Sequence, residues 1–369
     1  MAKNFRPVVQ ETPQSRAAIR GRGASWSPAN RFEKLHIDQN DLDVVDVALG
    51  TEERPRRETQ YFRDGTKSVI TRNNNPDVGF ETSLNPYRGC EHGCIYCYAR
   101  PTHEYLGFSP GLDFETKILV KEDAPELLRR ELMSPRWQPQ TIAISGVTDC
   151  YQPAERRFQL TRRCLQVLAE FRNPVIIVTK SHLVVRDIDV LTELSRYEAA
   201  AVFLSLTSLD ADLAGVMEPR ATRPAGRLAA IEALNQAGIP VGFMIAPVIP
   251  GLNDHEIPAV VSAAVQAGAG YAGFVMLRLP FAIKELFESW LLRNFPEKRD
   301  KVLSRIREVR GGKLNDPRFG SRMSGEGAIA DAIADVFKLA CRKAGIEGRG
   351  PKLSTASFRR PGEQRQLFE

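Results

Sequence analysis

The 369 residues of this chain are enough for one large α/β barrel or two ordinary domains, and a hydrophobic content of 43% supports a sizeable core. No apolar run approaches the roughly eighteen residues of a membrane-spanning helix, and the N-terminus lacks the apolar segment of a secretory signal. Six cysteines are too few for a disulfide scaffold, so we expect a cytoplasmic protein with no membrane partner whose cysteines serve metal or redox chemistry.

The formal net charge of +6 is concentrated at the two ends of the chain. Residues 1–75 and 342–369 carry the positive excess, whereas the residues between them are close to neutral. Basic ends around a neutral body suit contact with a polyanion, which makes a nucleic acid a candidate partner. A role in solubility alone is the alternative.

Residues 1–75 are polar and rich in turn-forming residues, and they predict a basic, largely irregular extension. From about Thr82 onwards, short apolar runs recur without polar alternation, which is typical of strands buried on both faces. These runs are TIAISGV (141–147), PVIIVTK (174–180), AVFLSLT (201–207), PVGFMIAPVI (240–249) and YAGFVMLRL (271–279).

Amphipathic stretches follow the apolar runs, and the clearest are residues 157–172 and 227–238. Strands that alternate with helices indicate βαβ units and a parallel sheet. With residues 83–88 as a first strand, six units predict an α/β fold with a partial (β/α)6 TIM-type barrel, and an open doubly wound sheet is the rival. The predicted parts are an N-terminal extension (1–75), a barrel (76–280), C-terminal helices (281–345) and a flexible basic tail (346–369).

Three cysteines lie within eight positions, directly after the predicted first strand: Cys90, Cys94 and Cys97. Three thiolates can bind three irons of a [4Fe–4S] cluster and leave the fourth iron for another ligand. Structural zinc with His92 as fourth ligand is the main rival, although His92 lies inside the first spacing and no second ligand pair exists. Buried cysteines without a metal are the third interpretation.

The spacing C-x3-C-x2-C with an aromatic residue, Tyr96, before the last cysteine resembles the radical SAM superfamily. The resemblance implies that S-adenosylmethionine (SAM) binds the open iron and is cleaved to methionine and a 5′-deoxyadenosyl radical, which abstracts hydrogen from a substrate. It also implies an electron donor, either a reductase or a flavodoxin or ferredoxin. The stretches NPYRGCEHGCIYCYAR, VTDCYQP, VTKS and MEPRATRPAGRL are similar to the branch that contains spore photoproduct lyase, which repairs a thymine photodimer in DNA.

The same resemblance implies residues that bind SAM. The Gly-Gly-Glu-like stretch that holds the SAM amino group corresponds to residues 145–149, where Gly146 is kept, Asp149 replaces the glutamate and Thr148 lies between them. Lys180 matches a lysine that pairs with the SAM carboxylate. A surface lysine is the alternative, although an unpaired buried ammonium at the end of an apolar strand would be costly.

Further SAM contacts are implied at the ends of later strands. Ser205 and Thr207 match positions that face the ribose, with ordinary strand-end hydroxyls as the alternative. Arg220 could bind the SAM carboxylate with both of its terminal nitrogens, and Arg227 could do so equally well.

The residues on the substrate side follow the lyase pattern only in part. Tyr98 matches a tyrosine that shapes radical transfer in the lyase, and packing is the alternative. In the lyase family a cysteine that returns a hydrogen atom stands at the position of Gly146 here, so Cys150 is the candidate donor by another route. A small residue that lines a strand-end loop is the alternative for Cys150. The favoured substrate is a nucleic acid, and a damaged DNA base is the candidate within that class. The alternatives are radical modification of RNA, a protein or a small molecule, or a metal-stabilised DNA-binding module without catalysis.

The chain ends in FRRPGEQRQLFE, a basic stretch with an apolar end. The pattern Gln364-x-x-Leu367-Phe368 resembles the peptide with which bacterial repair proteins bind the sliding clamp. A Leu-Phe pair can enter an apolar groove while the glutamine makes polar contacts.

Overall fold

The computed structural model of the chain describes residues 18–32, 57–346 and 348–362. Within these ranges the strands form two sheets. In chain order the strands are β1 (Gln60–Arg63), β2 (Ile70–Arg72), β3 (Thr82–Leu84), β4 (Tyr87–Arg88), β5 (Lys117–Val120), β6 (Ile142–Ile144), β7 (Val175–Thr179), β8 (Ala200–Ser205), β9 (Val241–Val248) and β10 (Tyr271–Met276).

The larger sheet is the predicted partial (β/α)6 barrel. Its strand order is β10-β9-β8-β7-β6-β3-β2, in which β3 and β6 to β10 are parallel and β2 is an antiparallel edge strand. All residues of β8 are buried, as its unbroken apolar run predicts. The smaller sheet, with order β1-β5-β4, lies outside this barrel sheet.

Helices connect the parallel strands and continue after the last one. They are α1 (Leu112–Thr116), α2 (Ala124–Met133), α3 (Glu155–Phe158), α4 (Leu160–Phe171), α5 (Ile188–Ser195), α6 (Ala211–Met217), α7 (Pro224–Gln236), α8 (Ile257–Gln266), α9 (Ile283–Asn294), α10 (Arg299–Glu308), α11 (Ser321–Ser324) and α12 (Ala328–Lys343). The predicted helix at 157–172 is divided at Gln159, whose φ of 50° is left-handed. No helix in the described ranges is long and apolar enough to span a membrane.

The N-terminal extension is more ordered than its composition predicts, because β1 and β2 both lie within it. Residues 18–32, the N-terminal segment, contain no helix or strand, yet they are held by two buried carboxylates, those of Glu104 and Glu115. Glu115 accepts hydrogen bonds from the backbone nitrogens of Gly23 (3.0 Å) and Ala24 (2.8 Å), and its own carbonyl accepts one from Arg22 (2.7 Å). A partner more than ninety positions away leaves no local sequence pattern.

Gly23 is expected to be essential for this packing. A Cβ atom at Gly23 would lie 1.8 Å from the carbonyl oxygen of Gly93, so we expect Gly23→Ala to cost about 1–3 kcal/mol of unfolding free energy and to release the N-terminal segment to protease. Gly65→Ala is the control, because a Cβ there meets nothing within 4 Å. Equal rates of proteolysis in the two variants would contradict this packing.

The described part of the predicted flexible tail is not free. Within residues 348–362, the backbone nitrogen of Ser354 donates to the Glu198 carbonyl and that of Arg359 to the Phe171 carbonyl, each over 2.9 Å. Backbone pairing with the barrel corrects the expectation of flexibility for these residues, whereas the division of the chain into domains stays a prediction. The residues of the clamp-binding pattern lie outside the described part of the chain: Gln364, Leu367 and Phe368.

Candidate active site at the cysteine loop

Residues 90–97, the cysteine loop, follow β4, where the chain leaves the small sheet. Two glycines shape the loop, since Gly89 and Gly93 have φ values of 79° and 67°. A Cβ at Gly89 would lie 2.9 Å from the His103 ring, and one at Gly93 would lie 2.7 Å from the Glu115 carboxylate. Neither position therefore accepts a larger residue without displacing its neighbour.

A buried ion pair holds the backbone of the loop. Arg100 and Glu115 are both fully buried and are paired at 2.5 Å. Arg100 also donates from Nε to the Cys94 carbonyl (3.0 Å) and from Nη1 to the Gly111 carbonyl (2.9 Å). One guanidinium thus fixes the loop, while its carboxylate partner fixes the N-terminal segment that covers it.

The three thiols of the loop are buried or half-buried and close enough for their charges to interact. Burial raises the pKa of Cys90, Cys94 and Cys97, and the two later cysteines raise that of Cys90 further. Metal binding would release these protons. Among the residues that the structure describes, no three His, Cys, Asp or Glu side chains are arranged to bind one metal ion. As a donor set, three thiols in one loop fit a [4Fe–4S] cluster, in which each thiolate would bind its own iron.

His92, the fourth ligand in the zinc alternative, faces a carboxylate. Its Nδ1 lies 3.3 Å from Asp149 Oδ2; the His92 side chain is buried, and that of Asp149 is 10% exposed. Asp149 also accepts hydrogen bonds from the Lys180 backbone nitrogen (2.8 Å) and Thr179 Oγ1 (2.7 Å). Burial alone would raise the pKa of Asp149, but His92 and these hydrogen bonds outweigh burial and lower the pKa to about 2. The ionised Asp149 therefore joins the cysteine loop to the end of β7.

Four of the predicted SAM-binding residues lie together beside the loop. Lys180 Nζ donates to Ser205 Oγ (3.0 Å), and the Tyr96 hydroxyl lies 3.3 Å from Thr207 Oγ1. The Lys180 ammonium is 5.8 Å from the centre of the Tyr96 ring. Residues from the ends of β7 and β8 and from the cysteine loop thus form one polar group, although their individual roles stay predictions.

Glu218, which the sequence analysis missed, lies at the centre of this polar group. Its carboxylate accepts hydrogen bonds from Thr207 Oγ1 (2.6 Å), the Tyr96 hydroxyl and Arg227 Nη2. Burial favours a raised pKa, but Arg227 and Lys180 outweigh burial and lower the pKa of Glu218 to about 2. Arg227 is fully buried and paired with Glu218, so its guanidinium already has a carboxylate partner.

Arg220, the other candidate for the SAM carboxylate, has a different partner. Its Nη1 pairs with Glu91 Oε1 at 2.8 Å and donates to Thr59 Oγ1 at 3.2 Å. These contacts place it in the wall of a cavity of about 540 Å³ beside the loop. The assignment of Arg220 to SAM therefore stays a prediction without a supporting contact.

Tyr98 and Gly146 meet at the solvent-exposed edge of the cysteine loop. The Tyr98 hydroxyl donates to the Gly146 carbonyl (2.9 Å), and 47% of the Tyr98 surface remains exposed. The guanidinium of Arg278, just past β10, lies 5.2 Å from the Tyr98 ring centre. Thr148 is buried, and its hydroxyl donates to the Tyr87 carbonyl (2.8 Å). Arg278 could not be recognised in sequence, because a lone arginine at a strand end is common.

Cys150, the predicted hydrogen-atom donor, is fully buried in the main hydrophobic core. Its backbone nitrogen donates to Ser145 Oγ (2.8 Å), and its carbonyl accepts from Thr161 Oγ1 (2.7 Å). Burial raises the pKa of its thiol. A hydrogen-atom donor must reach the substrate radical, and no contact of Cys150 supports such a role, so the donor role stays a prediction.

His103 gives the loop region a pH-dependent stability. It is fully buried, its Nε2 lies 2.9 Å from the Lys117 carbonyl, and burial lowers its pKa to about 4. In the unfolded chain His103 binds a proton near pH 6.5. The stability that the neutral, buried ring contributes is therefore present above that pH and is lost as the pH falls toward 4. We expect a loss of about 2 kcal/mol between pH 7 and 5 in urea unfolding of the metal-free protein. In His103→Gln this part of the loss of unfolding free energy between pH 7 and 5 should be missing. An equal loss in wild type and His103→Gln would contradict the role assigned to His103.

The sequence and the fold of this chain are both similar to those of known proteins. The model of the family described as "Radical SAM superfamily" matches residues 84–264, which include the cysteine loop and the ends of β6 to β9. An uncharacterized protein of Mycobacterium tuberculosis is 38% identical over 243 residues, which cover 65% of this chain and 70% of that protein. An uncharacterized protein of Methanocaldococcus jannaschii is 31% identical over 219 residues, which cover 59% and 78%.

Solved structures with the same fold include spore photoproduct lyase. The lyase complexed with dinucleoside spore photoproduct matches with a TM-score of 0.55 and 14% identity, over 82% of this chain and 91% of that one. A mutant of the lyase matches with a TM-score of 0.56 and 16% identity, over 77% and 78%. At these identities the likeness is one of fold.

Proposed function

This chain belongs to the radical SAM superfamily, and from that membership we propose that Cys90, Cys94 and Cys97 hold a [4Fe–4S] cluster with one iron open to SAM. When bound, the cluster and SAM supply a 5′-deoxyadenosyl radical that abstracts hydrogen from the substrate. The observation that supports this cofactor proposal is the set of three interacting thiols in a loop that glycines and a buried ion pair hold in place.

The polar group beside the loop suits the charged ends of SAM. The Lys180 ammonium can pair with the SAM carboxylate, and the hydroxyl of Ser205 can accept or donate at the ribose. Glu218 neutralises Arg227 and holds the Tyr96 hydroxyl, so it positions the aromatic residue next to Cys97. Asp149 holds the backbone of Lys180 in the same way.

We propose a nucleic acid as the substrate, with a damaged base as the reacting group. Support comes from the barrel edge, where the half-exposed Tyr98 ring lies beside the Arg278 guanidinium. In the described part of the chain, Arg278 Nε has no hydrogen-bond partner. An aromatic face can stack on a base, and a guanidinium can bind a phosphate. Because residue 146 is a glycine and Cys150 is buried, neither position offers an exposed thiol that could return a hydrogen atom. The chemistry at the base would therefore differ from that of the lyase.

The substrate proposal is tested by anaerobic turnover with deuterium-labelled oligonucleotides that carry defined lesions. Deuterium transfer from a lesion into 5′-deoxyadenosine would support it, and Arg278→Gln should then weaken oligonucleotide binding while Lys313→Gln, an exposed control, should not. SAM cleavage without transfer from any DNA lesion would contradict it. Transfer from RNA, a peptide or a small molecule would replace the DNA substrate by that class.

We also propose that the chain end binds the sliding clamp through Gln364, Leu367 and Phe368. The support is the sequence pattern itself, which follows Arg359 and Arg360 in the chain, two residues that contact the barrel. A synthetic peptide of residues 358–369 should bind the clamp, and its Leu367→Ala variant should not. If the peptide did not bind the clamp at high micromolar concentration, the proposal would be contradicted.

A further inference from the structure

The N-terminal segment lies directly against the cysteine loop. A Cβ atom on Gly23 would come within 1.8 Å of the Gly93 carbonyl oxygen, so the two backbones touch where that side chain is missing. Ala24 is 1% exposed and packs in one apolar cluster with Cys94, which is 8% exposed. The segment therefore forms part of the cover over the loop that carries the thiols.

The side chains with which the N-terminal segment contacts the loop are hydrophobic. Ile19 and Trp26 pack against the cluster that contains Cys94 and Tyr96, and Cys97 packs against the same cluster. An apolar layer around a metal site controls the access of solvent and lowers the local dielectric constant. These contacts give the cysteine loop an apolar wall on the side where the segment lies.

Two fully buried carboxylates hold the segment in this position. Glu115 binds the backbone nitrogens of Gly23 and Ala24, as described above. Glu104 accepts hydrogen bonds from the backbone nitrogen of Arg31 (3.1 Å) and from its Nε (2.7 Å). Both carboxylates belong to the stretch that follows the cysteine loop in the chain. Release of the segment would leave buried acceptors partly unsatisfied, which opposes its opening.

The far end of the segment is attached beside the last strand of the barrel. The Arg31 guanidinium lies 3.7 Å from the ring centre of Phe281, which follows β10. Asn30 Nδ2 donates to the Glu104 carbonyl over 2.8 Å. The segment thus extends from the cysteine loop to the chain after β10, with an attachment at each end.

Exclusion of water by such a wall has two consequences for a cluster held by three thiolates. Water and chelators compete for the irons only when they reach them, so a closed wall slows the loss of iron. Reduction adds one negative charge, which an apolar environment disfavours. A closed wall therefore lowers the reduction potential of the cluster, since burial is one of the factors that set this potential.

We propose that the N-terminal segment is the outer wall of the cluster site, which excludes water from the cysteine loop, retains the irons and keeps the reduction potential low. The inference rests on the proposed function. Gly23, Ala24 and Arg31 are positioning residues in this account, because they act through the cysteine loop. No bond forms or breaks at the segment.

The first experiment measures labelling of Cys90 and Cys94 by N-ethylmaleimide in the metal-free, full-length protein, with peptide mass spectrometry as the readout. Gly23→Ala opens the segment at the loop, and Arg31→Ala releases it at the other end. Each variant loses contacts to a buried carboxylate, so we expect both to raise the labelling rates about tenfold. Arg31→Lys, which keeps a charge for Glu104, should give intermediate rates.

Two controls accompany the labelling. Arg63→Ala removes an ion pair between Arg63 and Asp123, both exposed, and should leave the labelling rates of the loop unchanged. Cys164, fully buried outside the loop, is the internal reference. Its labelling rate should be equal in all variants, which shows that the barrel stays folded.

The second experiment uses the anaerobically reconstituted protein. Transfer of iron to an excess of chelator should be about tenfold faster in Gly23→Ala and Arg31→Ala than in wild type and Arg63→Ala. The cluster that remains bound in the two segment variants should have a higher reduction potential in a potentiometric titration. A loss of fold stability alone would not shift the potential of the bound cluster.

Three results would overturn the proposal. The first is equal labelling of Cys90 and Cys94 in wild type and both segment variants. The second is faster labelling in Gly23→Ala alone, which would assign the effect to distortion of the loop. The third is an unchanged reduction potential in variants that label faster. A wild type that binds zinc instead of iron would contradict the proposed function, while labelling of the metal-free protein would still decide whether the segment covers the loop.

Discussion

Cys97→Ala is expected to abolish SAM cleavage, with at least an approximately 100-fold loss of 5′-deoxyadenosine. The reason is that loss of a ligand should exceed the roughly 10–100-fold effect of residues that only support metal ligands. Cys97 is half-buried, so its replacement should leave the barrel folded. Iron content and 5′-deoxyadenosine yield measure the effect, and nucleic-acid binding measured on the same sample separates chemistry from docking.

Cys164→Ala is the matched control for this prediction. Cys164 is fully buried on α4, in the main hydrophobic core and outside the cysteine loop. Its replacement should keep the iron and the activity, and should cost roughly 1 kcal/mol of unfolding free energy. Equal iron content in Cys97→Ala and wild type would contradict the assignment of the ligands. Full biological activity of Cys97→Ala would favour a binding module without catalysis.

Glu218→Ala is expected to produce the largest loss of stability, about 3–5 kcal/mol of unfolding free energy. The substitution leaves the fully buried Arg227 without its carboxylate and removes the acceptor of the Tyr96 hydroxyl. Urea unfolding at pH 7 measures the loss. The full difference from wild type should be present above pH 4.5, the ordinary pKa of a glutamate, and should shrink as the pH falls toward 2, because the pKa of Glu218 in the folded protein is lowered to about 2.

Glu232→Ala on the exposed face of α7 is the control for Glu218→Ala and should change stability by less than about 0.5 kcal/mol. The double variant Glu218→Leu/Arg227→Met removes both charges. It should be more stable than Glu218→Ala, because no uncompensated charge remains buried. Equal free energies of unfolding for Glu218→Ala and Glu232→Ala would contradict the contribution to stability that is inferred for the buried pair of Glu218 and Arg227.

The barrel was predictable because its strands carry a strong local signal. An unbroken apolar run such as that of β8 is typical of a strand buried on both faces, and repeated βα units leave few topologies. The order of the N-terminal segment was not predictable, because its hydrogen-bond partners Glu104 and Glu115 are distant in sequence. The packing of residues 348–362 on the barrel was not predictable in part because it uses backbone hydrogen bonds, which any residue except proline can donate.

The candidate site was predictable only where residues form a motif. The spacing of the three cysteines and the position of Lys180 at a strand end predict one side of the candidate site. Glu218 was missed because nothing in a local stretch shows that a charged side chain will be buried opposite another. Arg220 was assigned to SAM from sequence similarity, whereas the structure pairs it with Glu91, a contact between segments far apart in the chain.

Formation of 5′-deoxyadenosine by the reconstituted protein is the most direct test of the central claim that this chain is a radical SAM enzyme with three cluster ligands. We expect about four irons per chain after anaerobic reconstitution and cleavage of SAM to 5′-deoxyadenosine when dithionite is added. Stoichiometric zinc, with no 5′-deoxyadenosine under the same conditions, would contradict the claim.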